Sequence, residues 1–229
     1  MVDIGEIIGD AVKYPVSDWK KLIILGVFFL LSFLLIPIFF ALGYVFRALK
    51  ATIAGFDELP EFDEWGEMFI DGLKVFVVTL AYMIIPLIIM GVGVFTGLSS
   101  AGVFTIYGNV MVTAPTLLQA GLGLIIIGII VAIIFGLLWT IAIAHMAYND
   151  SELRAAFQFR EILDVISEIG WTEYILWYIV VIIVAIVILF IGSLVGMIPV
   201  LGQILVPLFV TPYLTLFYFR ALGLRYAYE

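Results

Sequence analysis

Apolar positions along this chain run in long blocks that contain no Asp, Glu, Lys or Arg, namely 22–46, 75–149 and 174–219. The charged residues fall into four short stretches, Asp3 to Lys21, Arg47 to Lys74, Asp150 to Glu173 and Arg220 to Glu229. A charged side chain in the bilayer core costs roughly 3 kcal/mol on insertion scales, and a helical span takes about 20 apolar residues. The blocks therefore predict an all-α integral membrane protein with about five embedded helices, near 22–46, 75–97, 121–147, 174–198 and 202–219.

The polar positions between the blocks recur at helical spacing. Asp3, Glu6, Asp10 and Lys13 make one narrow polar face, and Glu64, Glu67, Asp71 and Lys74 make another; the two segments align without gaps. In 152–169, Arg154, Arg160, Glu161, Asp164 and Glu168 oppose an apolar side, and Asn149, Asp150 and Ser151 offer cap chemistry before it. These patterns predict interfacial amphipathic helices near 3–14, 64–76 and 152–169, each feeding a span. Trp19, Trp65 and Trp171 stand at the junctions, where an indole keeps one wet edge. If the first two helices are a true repeat, both lie on one side, and 22–46 has to enter and return at Pro37. Because Leu34-Leu-Ile-Pro37 offers no polar turn, we read 22–46 as a kinked span instead.

Composition narrows the class further. The chain is 65% hydrophobic and 12% charged, against about 45–50% and 25% for soluble domains. The soluble remainder is too small for a separate catalytic domain, so 1–229 reads as a single multi-pass membrane domain. A net charge of −8 argues against nucleic acid, which needs a basic face. With no cysteine there are no disulfides, thiolate metal sites or cysteine nucleophiles. The N-terminus is not a signal peptide: Asp3, Glu6 and Asp10 stand where a basic region belongs. Basic residues set orientation. Five straight spans put 47–74, 148–173 and the C-terminus together as the cytoplasmic side, and leave Lys13, Lys20 and Lys21 on the other.

Candidate sites are few. The acidic loop holds Asp57, Glu58, Glu61, Asp63, Glu64, Glu67 and Asp71, but not at the spacing of an EF-hand. It reads mainly as a solvated face and a negatively charged first helical turn, with cation binding the sharper alternative. His145, with Tyr148 and Asn149 near it, is the lone histidine; Ser99 and Ser100 should lie a bilayer away, so no Ser–His pair follows. Arg47 and Arg220 sit in a repeated Phe-Arg-Ala-Leu and, with Lys20 and Lys21, are candidates for lipid headgroups. A paired anion site for the two arginines is the alternative. Gly128, Ala132, Gly136, Thr140 and Ala144 recur every four residues, and Gly192 and Gly196 add a GxxxG. Such stripes are helix-packing seams, either inside the chain or between copies.

The stretch Gly43-Tyr44-Val-Phe-Arg47, Gly55, Asp57-Glu58-Leu-Pro-Glu-Phe-Asp63-Glu-Trp65-Gly-Glu67 and Asp71-Gly-Leu-Lys74 resembles DUF4013, a family of uncharacterised archaeal multi-pass membrane proteins. The resemblance covers most of the chain. It implies an archaeal cell membrane and about five spans, offers no catalytic residue, and is silent on substrate.

No Asp, Glu, Lys or Arg lies within the spans, which lowers ion-coupled transport. The chain therefore reads as a non-enzymatic structural or interaction component that self-associates in the membrane, with no catalytic residue, metal or cofactor. Its partners are then membrane lipids and a second copy; a protein partner is not specified. The alternative is a channel or permease for small neutral or lipid-like molecules, which should gather Thr79, Thr140, Gln203, Thr211 and Thr215 on one cavity.

Overall fold

Asp3 opens the first helix by accepting a hydrogen bond from the Gly5 amide at 2.9 Å, and α1 (Ile4–Lys13) follows with Ile7 and Ala11 buried. A 3-10 turn through Pro15 leads to Asp18, whose carboxylate caps α2 (Trp19–Leu30) by accepting from the amides of Lys20 and Lys21. The structure, a computed structural model, describes residues 3–102 and 114–227, and the side chains of all of these except 99–102 and 114–117. The described residues are all α, with no strand among them. Five helices are long and apolar enough to cross a membrane: Ile36–Ile53, Trp65–Leu98, Leu118–Tyr148, Trp171–Gly196 and Leu201–Ala227.

The kinked span read over 22–46 is not formed. α2 stops at Leu30, a short 3-10 turn covers Ser32–Leu34, Leu35 takes a left-handed φ of 65°, and α3 (Ile36–Ile53) begins afresh. Pro37 sits in the first turn of α3, where its missing N–H costs nothing, so it starts a helix instead of bending one. α3 then folds back along α2, with the rings of Phe28 and Phe40 at 5.8 Å. The segment is a helical hairpin with an apolar turn.

α4 (Trp65–Gly102) carries the second amphipathic pattern and the following span as one helix, with Pro86 inside it. Two buried positions of the aligned pair coincide, Ile7 and Ala11 in α1 with Met68 and Gly72 in α4, while Asp71 is buried where its counterpart Asp10 is exposed. α3 and α4 cross at two glycines. A Cβ on Gly43 would meet the Met68 carbonyl oxygen at 1.8 Å, and one on Gly72 the Phe39 carbonyl oxygen at the same distance.

α5 (Ala114–Tyr148) is followed by a turn in which Asp150 and Ser151 both have positive φ. The third amphipathic helix is shorter than its pattern: α6 spans Phe159–Ile169, after a 3-10 turn at Ala155–Phe157. Ser151 caps nothing there, because its hydroxyl is turned to Asp71. Gly170, at φ 90°, makes the corner into α7 (Trp171–Gly196). The chain ends in α8 (Leu201–Leu205), a π-helical turn over Val206–Val210 and α9 (Thr211–Ala227).

Two compact units result. Met1–Val78 with Thr140–Glu229 is one, and Thr79–Trp139 is the other. In the first, α9 packs on α3, α1 and α2. Large apolar side chains on the outer faces of the long helices stay exposed, such as Ile183, Ile186 and Phe190 on α7, as lipid-facing surface should.

Candidate functional site

The charged stretches, far apart in sequence, converge on one another within the first unit. At their centre is Arg220 of α9, only 2% exposed. Its Nε donates to Asp10 Oδ1 at 2.7 Å, and Nη2 donates to Asp57 Oδ1 at 2.6 Å. Nη1 donates to the Phe56 carbonyl at 2.7 Å and reaches Thr52 Oγ1 at 3.4 Å. The guanidinium lies over the Tyr14 ring, 4.6 Å from its centroid. One arginine thus ties α9 to α1, to α3 and to the loop after α3. Burial pushes the Tyr14 hydroxyl up to about 12, although Arg220 pulls it the other way. A surface cavity of about 160 Å³ opens beside this cluster, lined by Asp10, Lys13, Tyr14, Ser17, Asp57 and Arg220.

The acidic loop is held by two further cations. Arg47 Nη1 donates to the carbonyls of Asp63 at 2.9 Å and Glu61 at 3.3 Å and pairs with the Asp63 carboxylate; Nη2 meets Glu64 at 3.5 Å. Lys21 Nζ reaches the Leu59 carbonyl and Glu61 Oε1, each at 2.8 Å. Tyr44 donates to the Pro60 carbonyl at 3.0 Å, and its ring stacks on Phe62 at 3.9 Å with 4° between planes. Both arginines of the repeated Phe-Arg-Ala-Leu therefore grip this one loop, Arg220 through Asp57 and Arg47 through Asp63 and Glu64.

The third stretch joins by two routes. Buried Asp71 accepts from Ser151 Oγ at 3.1 Å, and Lys50 donates to the same Ser151 hydroxyl at 3.0 Å. His145, 7% exposed, places Nδ1 2.9 Å from the Tyr226 hydroxyl and Nε2 3.1 Å from Glu161, so it bridges α5, α9 and α6. Arg225 meets Glu173 at 3.2 Å, with its Nε buried and unpartnered among the described residues.

These positions settle where each sequence candidate lies. Lys20 is exposed, Lys21 and Arg47 are engaged by the loop, and Arg220 is enclosed by its acids. Of the seven acidic-loop residues, Asp57, Glu61, Asp63, Glu64 and Asp71 hold cations of the chain itself. Gly128 is buried against Met90 of α4, where an added Cβ would meet Met90 Cγ at 2.4 Å. Gly136, Thr140 and Ala144 are also buried, and Ala132 is half-buried. Gly192 faces Val210, while Gly196 is exposed. Ser99 and Ser100 belong to α4, but their side chains, like the 103–113 connection with Asn109, lie outside the described residues. Sequence reasoning did not pair Tyr14, Thr52, Asp10 and Asp57 with Arg220; the one signal was the shared Phe-Arg-Ala-Leu.

Neither a comparison with curated proteins nor one with solved structures finds a match. The model of the family described as protein of unknown function DUF4013 matches residues 27–197, which takes in most of the hairpin, the acidic loop and α4 through α7. The chain belongs to the DUF4013 family.

Proposed function

We propose that this protein is a structural or interaction component of the cell membrane, without catalytic activity of its own, and that its working surface is the ion-paired end of the first unit. The observation that carries this reading is the joining of four separate charged stretches by Arg220, Arg47, Lys21 and Arg225 into one fixed layer. Lys21, Arg47, Lys74, Arg220 and Arg225 are engaged by acids of the chain. That leaves exposed Lys13, Lys20, Arg154 and Arg160 against twice as many exposed acids outside ion pairs among the described residues. Exposed Glu58, Glu67, Asp164 and Glu168 enter no ion pair among the described residues, so the layer presents net negative charge suited to a basic partner.

The hydroxyls that a permease would gather are turned to their own neighbours, which supports a scaffold. Thr79 accepts from Trp139 Nε1 at 3.0 Å, and Thr140 shares a 2.7 Å hydrogen bond with Tyr218. Thr211 donates to the Val206 carbonyl, Thr215 to those of Thr211 and Pro212, and Gln203 is exposed. Self-association belongs to the proposal, but not through the stripe centred on Gly136, whose residues are largely buried within the chain.

Native mass spectrometry from mild detergent tests the reading. A complex heavier than the 25.5 kDa chain, reduced when Glu58 and Glu67 are both changed to Gln, supports it. A bare monomer that passes neutral solutes across liposomes would assign the permease instead.

A further inference from the structure

We infer that α2 and α3 form a re-entrant hairpin seated in one leaflet, its apolar tip among the acyl chains, so that both of its ends, the N-terminal helix and all ten basic residues face the same side of the membrane. Both ends of the hairpin are tied to one loop. Ahead of the hairpin, the Tyr14 hydroxyl reaches the Glu58 carbonyl at 3.4 Å and Lys21 reaches Leu59 and Glu61. At its far end Tyr44 and Arg47 bond the same loop, through Pro60, Glu61 and Asp63. A segment whose two ends hold one short loop has not crossed a bilayer.

The charge-free arms of the hairpin are also too short to cross. α3 is long and apolar enough to cross by itself, but Arg47 and Lys50 lie within it. The charge-free helical arms are 22–30 and 36–46. At 1.5 Å per residue these reach about 14 and 16 Å, roughly half of a 30 Å hydrocarbon core. The tip is exposed and mostly apolar. Phe33, Leu34, Leu35 and Ile36 are 74%, 55%, 72% and 61% exposed. A helix-to-helix turn facing water is built from Gly, Asn, Asp or Ser, and this one has a single such residue, the half-buried Ser32, beside four exposed apolar ones. Here Leu35 takes a positive φ of 65°, which is tolerable where side chains gain from apolar surroundings more than a polar turn would.

The consequence is a changed side for the N-terminus. Asp10 and Asp57 share Arg220, so α1 lies with the loop after α3 and the end of α9, not across the membrane from them. The crossings are then α4, α5, α7 and the α8–α9 run, and every Lys and Arg lies at one end of them. Such an asymmetry places that end in the cytoplasm.

The cysteine-free chain allows a clean test with single cysteines at Ser17, Glu152, Asn109 and Phe33. On intact cells an impermeant maleimide should label Asn109→Cys and spare Ser17→Cys and Glu152→Cys, both of which react after permeabilisation. A nitroxide on Phe33→Cys in liposomes should collide with oxygen more than with a water-soluble nickel chelate, at a depth near the bilayer midplane. Labelling of Ser17→Cys from outside while Glu152→Cys stays protected overturns the inference. So does a depth for residue 33 at the headgroups opposite Glu152.

Discussion

Gly26 of α2 lies against the backbone carbonyl of Leu208, so closely that a Cβ on residue 26 would stand 1.9 Å from that oxygen. Leu208 is in the π-helical turn, and Pro212 has no N–H to give this carbonyl its ordinary helical bond. The widened turn and the missing side chain together let α2 seat on the π-helical turn ahead of α9. The approach is backbone to backbone, so no rotamer change can relieve an intrusion.

Gly26→Ala should therefore lower the melting temperature sharply, by the equivalent of about 2–3 kcal/mol, because α2 has to move away from α9. Gly9→Ala is the matched comparison, since nothing lies within 4 Å of a Cβ there and alanine favours a helix by up to about 1 kcal/mol. Thermal unfolding in detergent reads both. Equal behaviour of the two variants would remove the Gly26 contact from the list of structural constraints.

Arg220 and Asp57 should respond unequally. Arg220→Gln leaves Asp10 and Asp57 without their shared cation and a buried site imperfectly filled, for a loss of about 3 kcal/mol. Asp57→Asn touches an acid that is 86% exposed, and about 0.5 kcal/mol is expected. Limited proteolysis of the 54–64 segment should accelerate strongly in the first variant and slightly in the second.

Alkaline titration should isolate Tyr14. Its folded pKa is raised to about 12 from the ordinary 10.0 by burial, so the folded state binds the phenolic proton more tightly than the unfolded chain does. The associated stability is complete below pH 10 and is lost as pH rises toward 12. Wild type should lose about 1–2 kcal/mol more than Tyr14→Phe across that window. Denaturation at stepped pH checks it; parallel curves would contradict the burial argument.

Gly128→Leu should make the monomer thermolabile, since Met90 of α4 occupies the space where the side chain has to go. A cost of about 1–3 kcal/mol is in the range for overfilled packing. Ile134→Leu, at a position 52% exposed, should change little. Loss of oligomer mass with an unchanged melting temperature in Gly128→Leu would mean that the stripe joins copies instead.

Much of the secondary structure was legible along the chain. Asp3 and Asp18 announce two helix starts because a carboxylate satisfies amides that the first turn leaves unbonded. Trp19, Trp65 and Trp171 each stand at the first residue of a helix. The hairpin was legible only as an alternative, raised by the likeness of Asp3–Lys13 to Glu64–Lys74. A proline before nine charge-free residues starts a helix as readily as it kinks one. The choice between them depends on whether Lys21 and Arg47 find a common loop. Ser151 misled in the same way: its place before an amphipathic run suited a cap, but a buried carboxylate, Asp71, took the hydroxyl.

By itself the sequence determined the class, most of the helices and the four charged stretches, since hydropathy, capping and helical periodicity act over neighbours within one turn or one span. Which charges meet was decided only in three dimensions. Asp10, Asp57 and Arg220 are separated by most of the chain, and local pattern holds no information about that encounter. The same is true of Gly26 and Leu208, whose contact needs a π turn, a proline and an absent side chain to coincide in space. In an apolar setting a buried guanidinium has to find carboxylates and carbonyls. That requirement selects the packing in which the charged stretches converge, and the hairpin follows from it.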